Sequence, residues 1–189
     1  MRIGGVLLAA GEGKRFGGNK LLEKVNGVPI ILMSLNALES LERVIIVGAY
    51  ASELLPLLKE EVVIYNPRWR EGISTSVKLG LRYFSDYDAV VFHLADMPLV
   101  KHETVKAIID AFDPGECDAV VPKHNGIRGN PVLISKAIFK RAEELKGDEG
   151  FRRLLNEVRL CHIEAGEEVL IDIDTKSDLK RISSFRLRP

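Results

Sequence analysis

The sequence predicts an α/β fold, a three-layer sandwich around a mostly parallel, Rossmann-like sheet, and three observations support it. Apolar runs of strand length alternate along the chain with amphipathic stretches of helical length. The runs are rich in Val, Ile and Leu, as strands covered on both faces require. A glycine-rich turn directly follows the first run, where a parallel sheet offers its ligand crevice. With 189 residues, 46% of them apolar, the chain can bury a substantial core, and one domain spanning 1–189 is expected.

In chain order, strands are expected at residues 3–9, 43–48, 62–65, 89–95, 119–121 and 132–134. Helices are expected near 29–41, 53–59, 76–84, 103–112, 136–145 and 177–182. Pro29 suits a first helical turn, and Leu32, Leu35, Asn36 and Glu39 then fall at helical spacing, so this helix can cover the sheet. Helix 76–84 follows a turn at Asn66-Pro67 and a run of Ser and Thr able to cap it. Strand 89–95 is of the buried type and is stopped by Pro98. No linker, repeat or low-complexity segment interrupts the alternation.

Function is most legible at the start. The run Val6-Leu7-Leu8-Ala9-Ala10 breaks into Gly11, Gly13, Gly17 and Gly18, interleaved with Lys14, Arg15 and Lys20. Glycines let backbone N–H groups approach oxygens closely, and cations beside them complete a phosphate site. A dinucleotide fingerprint counted from Gly11 fails, because its sixth place is Phe16. A P-loop fails as well, since Gly18 is followed by Asn19, Lys20 and Leu21 with no Ser or Thr for magnesium.

The acidic half of the site is expected across the crevice. Strand 89–95 ends in Asp96, facing the cationic loop; a magnesium ion carried by a triphosphate prefers one or two such carboxylates. Taken alone, Asp96 could equally cap a turn. Asp172 and Asp174 alternate with Ile171 and Ile173, so in an extended stretch both project to one side. Asp174 or Thr175 could instead cap the following helix.

The loop Leu8-Ala9-Ala10-Gly11-Glu12-Gly13, continued by Arg15-Phe16-Gly17 and Asn19-Lys20-Leu21-Leu22, resembles the signature loop of the MobA-like nucleotidyltransferases, and most closely that of the molybdenum cofactor cytidylyltransferases. Further matches cover nearly the whole chain. They are Asp96-Met97-Pro98, Asn66 through Ser76, Leu170 through Leu179, and Gly126 through Leu133 together with Gly147 through Leu155. The resemblance implies the nucleotide-diphospho-sugar transferase type of fold and a Mg²⁺-dependent transfer of CMP from CTP to the terminal phosphate of molybdopterin, releasing pyrophosphate.

The same resemblance implies the roles. Leu8, Ala9, Ala10 and Gly11 face the base, with Gly13, Lys14, Gly72 and Ser74 completing the nucleotide site. Lys20 and Arg15 act as electrostatic clamps. Asp96 holds the metal, and Asp172 takes a metal or substrate role. Arg128, Gly129, Asn130 and Pro131 belong to the acceptor side, where the family's usual Arg-Gly-His-Pro stands here as Arg-Gly-Asn-Pro. Asn130 can hydrogen-bond but cannot titrate near neutrality. Guanylyl-transferring members tend to have Leu-Ala-Gly-Gly, so the Ala10 methyl narrows a purine pocket and favours cytosine, by about 1–3 kcal/mol. Other readings are a guanylyltransferase acting on molybdopterin or another phosphorylated acceptor, a sugar-phosphate nucleotidyltransferase, or a nucleotide sensor without turnover. A receiving molybdoenzyme is the implied protein partner.

Acidic and basic residues balance at 27 each with no long single-sign block, which argues against a nucleic-acid groove or a membrane-binding face. The first apolar run is cut by Glu12, Lys14 and Arg15, so it is neither a signal segment nor a spanning helix, and a cytoplasmic location is expected. Cys117 and Cys161, without metal-like spacing, are expected as buried thiols. His93, His102, His124 and His162 show no spacing of a metal site.

Overall fold

The computed structural model describes residues 1–184. Along the chain come β1 (Ile3–Ala9), β2 (Lys24–Val25), β3 (Val28–Pro29), α1 (Ile30–Asn36), β4 (Glu42–Val47), α2 (Ala51–Leu54), β5 (Val63–Tyr65) and α3 (Ile73–Tyr83). They are followed by β6 (Ala89–Leu94), α4 (His102–Asp110), β7 (Ala119–His124), β8 (Ile127–Arg128), β9 (Val132–Ser135), α5 (Phe139–Glu143), β10 (Leu160–Glu164) and α6 (Lys176–Ser184). The main sheet has the order β10-β7-β9-β6-β1-β4-β5, with β8 paired to β7. Neighbours are parallel except where β9 runs between β6 and β7 and where β8 folds back on β7.

The two faces of the sheet carry separate cores, which makes the three layers. Leu7, Ala9, Ile45, Val47, Val91 and Leu133 pack against Ile30, Ile31 and Leu35 of α1, Leu54 of α2, Val105 and Ile108 of α4, and Ile182 of α6. Val6, Leu8, Val44, Ile46, Val90 and Phe92 pack against Val77 and Leu81 of α3 and Phe139 and Ala142 of α5. The third layer comes very close at Gly80, where a Cβ would lie 2.8 Å from a methyl of Val6.

Each expected strand forms with nearly the expected ends, apart from β7, which runs on to His124. The helices depart more. Pro29 closes β3 and sits just before α1, one place ahead of the first turn expected of it. Residues 53–59 form only the end of α2 and a 3-10 turn, because Pro56 lacks the N–H an α-helix needs. Residues 136–145 split into a 3-10 turn and α5. Among the described residues no helix is long and apolar enough to cross a membrane.

The cysteines are not thiols, contrary to expectation: Cys117 and Cys161 form a disulfide, with Cα atoms 5.7 Å apart. The cause is β10, a strand whose Leu160-Cys161-His162-Ile163-Glu164 sequence carries too little apolar signal to be read. It pairs with β7 with Cys161 opposite Val120, which brings it within reach of Cys117, two residues ahead of β7.

His93, the last residue but one of β6, is fully buried, and neither ring nitrogen closes a hydrogen bond among the described residues. Burial holds the imidazole down to about 3, the Met97 backbone offsetting only part of that. Between the ordinary value of 6.5 and about 3, the unfolded chain takes up a proton that the folded chain refuses. Stability therefore falls as pH falls through this window, by up to about 1.4 kcal/mol per pH unit. Denaturant unfolding at about pH 7 and about pH 4.5 should show a smaller acid loss for His93→Leu than for wild type; equal losses would contradict this assignment.

Candidate active site

β1 and β6 are neighbours that end together, with Leu8 opposite Leu94 and the Ala95 N–H donating to the Leu8 carbonyl at 3.1 Å. The chain leaves β1 toward β4 on one side, while β6 lies on the other, so this is the point where an open parallel sheet leaves a crevice. A cleft of about 860 Å³ opens there.

The loop after β1 is held at several points. Gly13 has φ +61°, and a Cβ on it would lie 2.8 Å from the Gly18 carbonyl oxygen, so the tight turn excludes side chains there. Phe16 is buried in the core and anchors the loop. Tyr50 Oη donates to the Glu12 carbonyl at 3.0 Å, and the Ala49 N–H donates to the Ala10 carbonyl at 3.1 Å. Asn19 accepts from the Leu21 N–H at 3.3 Å, capping a 3-10 turn at Lys20–Leu22 whose Leu21 is buried. Lys20 is thereby aimed across the crevice.

It meets the acidic half directly. Lys20 Nζ lies 2.7 Å from Asp96 Oδ2 and 3.2 Å from Asp174 Oδ1, while Arg15 Nη2 lies 2.7 Å from Asp174 Oδ2. Burial works to lower the Lys20 ammonium, but the charge and hydrogen bond of Asp96, followed by those of Asp174, outweigh it and hold the ammonium above its usual value. Asp172 stands open at the edge of the group. The cleft walls still displace enough water to raise its carboxyl above the ordinary range, and the charges of Asp174 and Asp96 add to the effect. Oxygens of Asp96, Asp172 and Asp174 lie within 4.8 Å of one another. Ile173 between the latter two is buried and its N–H donates to the Asp96 carbonyl at 2.9 Å, so the expected projection of both aspartates to one side is observed.

The capping alternatives fail for both aspartates that faced them. α4 begins at His102 without a side-chain cap, so Asp96 is not used there. Asp178 accepts from the N–H groups of Asp174 at 3.2 Å and Thr175 at 2.8 Å, which leaves the Asp174 carboxylate free for the cations. The spacing Thr175-x-x-Asp178 is a capping box and was the available signal for this.

The α3 side forms the opposite wall. Asn66 is buried and donates to Thr75 Oγ1 at 2.8 Å and Ser76 Oγ at 2.9 Å, so these hydroxyls knit the wall rather than cap α3. Gly72 precedes α3 with φ +102°, and a Cβ there would lie 2.2 Å from the Gly147 carbonyl carbon. The Ser74 N–H donates to the Gly147 carbonyl at 3.1 Å, and the Ile73 N–H to Asp148 Oδ1 at 3.2 Å.

Leu8, Ala9, Ala10, Gly11, Gly13, Lys14, Arg15, Lys20, Gly72, Asp96 and Asp172 all line the cleft. Ser74 does not: it is buried under the Gly147 loop, and Ser76 lines the cleft in its place. Lys14 reaches back to Glu12 at 3.6 Å and is largely exposed. Arg128, Gly129, Asn130 and Pro131 lie off the lining. Arg128 donates to Asn156 Oδ1 at 2.6 Å, the Asn130 N–H donates to the Val169 carbonyl at 2.9 Å, and a Cβ on Gly129 would strike that carbonyl at 2.3 Å. This segment therefore braces the chain leading to Asp172. Trp69 and Arg70, from the matched stretch Asn66 through Ser76, and Asp148, from the matched stretch Gly147 through Leu155, also line the cleft, although none was singled out as a site residue. Tyr50 lines it too and lay outside every match, but it follows the end of β4, a position that the strand-end rule could have flagged.

Residues 5–163 match the model of the MobA-like NTP transferase domain. The chain belongs to that family. A probable molybdenum cofactor guanylyltransferase of Thermococcus gammatolerans is 31% identical over 94% of this chain and 97% of its own. The molybdenum cofactor cytidylyltransferase of Escherichia coli is 29% identical over 92% of this chain and 91% of its own. Among solved structures, a nucleotidyl transferase from Methanothermobacter superposes with a TM-score of 0.84 at 25% identity, covering 96% of each chain. This MobA-like chain is thus an enzyme of the nucleotidyltransferase type, with the family's Rossmann-like fold.

Gly72→Ala is expected to force the Gly147–Asp148 loop off α3 and to cost about 1–3 kcal/mol of stability, because the position requires both positive φ and an absent Cβ. An unchanged denaturation midpoint would contradict the packing described for this wall.

Proposed function

We propose that the protein transfers CMP from CTP to the terminal phosphate of molybdopterin, with or without bound molybdenum, releasing pyrophosphate and requiring Mg²⁺. The observation that carries this reading is the pairing of Lys20 and Arg15 with Asp96 and Asp174 at the crevice between β1 and β6. The residues fit a divalent ion. Asp96 Oδ1 is buried without a hydrogen-bond partner among the described residues, and Asp172 and Asp174 bring further carboxylate oxygens beside it. Asp96, with Asp172 or Asp174, would hold Mg²⁺, which supplies charge neutralisation to phosphate oxygens.

The chain's own residues do the rest. The acceptor phosphate is already an anionic nucleophile, so no base has to be generated; alignment and charge neutralisation suffice. Lys20 and Arg15 neutralise the phosphates from the loop side, and the glycine-loop N–H groups orient them. Arg128 and Asn130 meet the acceptor from outside the triphosphate cleft in this reading. Ala10 and Trp69 both line the cleft, and in this reading the Ala10 methyl narrows the base pocket in favour of cytosine. The guanylyltransferase name of the Thermococcus relative favours GTP as a second reading. We place the reaction in the cytoplasm, with a receiving molybdoenzyme as partner; this location requires the Cys117–Cys161 bridge to withstand a reducing pool.

Pyrophosphate release should be measured with CTP and with GTP, each with Mg²⁺ and molybdopterin. CTP is expected to be preferred by roughly 10–200-fold, the discrimination a methyl-sized difference supplies. Lys20→Ala and Asp96→Ala should each lower turnover by on the order of 100-fold or more. Preference for GTP would establish the second reading, and turnover unaffected by both substitutions would remove the assigned roles.

A further inference from the structure

We propose that Lys20 is a built-in counter-ion that couples metal binding to nucleotide binding. In the free protein its ammonium occupies the place between carboxylates that a divalent ion takes, and it leaves only when phosphates are present to receive it. The inference rests on the reading of this cleft as a metal and triphosphate site, and goes beyond that reading by assigning an interdependence between the two ligands.

The Lys20 side chain is only 12% exposed and its ammonium touches both Asp96 and Asp174, so it sits between these two carboxylates. Asp96, Asp172 and Asp174 against Lys20 and Arg15 leave a net charge of −3 + 2 = −1. A divalent ion entering alone would be set against the seated ammonium, and like charges this close repel strongly in a half-dry cleft. Pushed aside without a partner, the ammonium would be buried and unpaired. A triphosphate entering alone would face the group's net negative charge. Arriving together, each ligand removes the other's obstacle: the ion takes the carboxylates and the phosphates take the ammonium. The movement needs only the flexible stem of Lys20, since Asn19 and buried Leu21 fix its backbone. Arg15, 76% exposed and held to the outer oxygen of Asp174, can follow without disturbing the core.

The test is Mn²⁺ binding to the whole chain, followed by the electron paramagnetic resonance of the free ion, without nucleotide and with CTP or GTP but no acceptor. A nucleotide-only titration is subtracted. Wild type should bind Mn²⁺ weakly alone and at least about tenfold more tightly with nucleotide, within the usual range of coupling between sites. Lys20→Met should bind Mn²⁺ alone at least about fivefold more tightly than wild type, and nucleotide should then add less than about twofold. Mn²⁺ affinity in Lys20→Met equal to or below that of wild type overturns the coupling while leaving the metal site standing. No Mn²⁺ bound by wild type with either nucleotide overturns the site reading and the coupling together. Thermal melting is the second readout, with Lys20→Gln as the second variant. Without their cation the carboxylates repel, so Mn²⁺ should raise the melting temperature of both variants more than that of wild type, and an equal or smaller rise counts against the proposal.

Discussion

The contact between Lys20 and Asp96, 2.7 Å long and spanning 76 residues of sequence, is the interaction on which the organisation of the cleft turns. It is possible because β1 and β6 are adjacent and parallel, so the segments that follow them leave the sheet at the same edge. The contact also explains the loop's construction. A cation placed on a glycine-rich turn would be free to wander, and here Phe16 and Leu21 sink into the core while Tyr50 and Asn19 pin the backbone. The conformational freedom that lets backbone N–H groups face a ligand is thereby kept without leaving Lys20 loose.

Around this pair the structure accumulates like charge. Asp172 and Asp174 arrive from a segment far away in sequence, held by Asp178, by the Ile173 N–H on the Asp96 carbonyl, and by the Asn130 N–H on Val169. Three carboxylates so close are a cost in the absence of cations; at Asp172, burial in the cleft raises the carboxyl first and the charges of Asp174 and Asp96 add to it. Lys20 and Arg15 offset that cost in the free protein. An arrangement whose like charge is offset by its own lysine and arginine is one prepared to exchange those partners, which connects the energetics of the cleft to the chemistry of phosphate transfer.

Much of this was legible in the sequence, and for physical reasons. The parallel-sheet strands are continuous apolar runs, so Ile3–Ala9 and Ala89–Leu94 stand out and, with the strand-end rule, place the Gly11 loop opposite Asp96. Asp96 taken alone could equally have capped a turn, and it was its place opposite the cationic glycine loop that favoured the ligand reading. What could not be read depends on tertiary context. β8 has two residues and no periodicity, and β10 is a short edge strand whose few apolar residues are interrupted by His162 and Glu164, so the Cys117–Cys161 bridge that depends on it was missed. Ser74 was expected at the ligand but is buried, because no local pattern reveals that the distant Gly147 loop lies over it. Asp174 was readable in principle from Asp178, whose carboxylate takes over the capping.

The measurement that tests the account most directly is a crystal structure with Mn²⁺ and CTP bound and no acceptor, the ion located by its anomalous scattering. The account predicts the ion on the Asp96 carboxylate and the Lys20 ammonium moved onto a phosphate oxygen. An ion bound away from Asp96, or Lys20 still seated between Asp96 and Asp174 with the nucleotide in place, would contradict it.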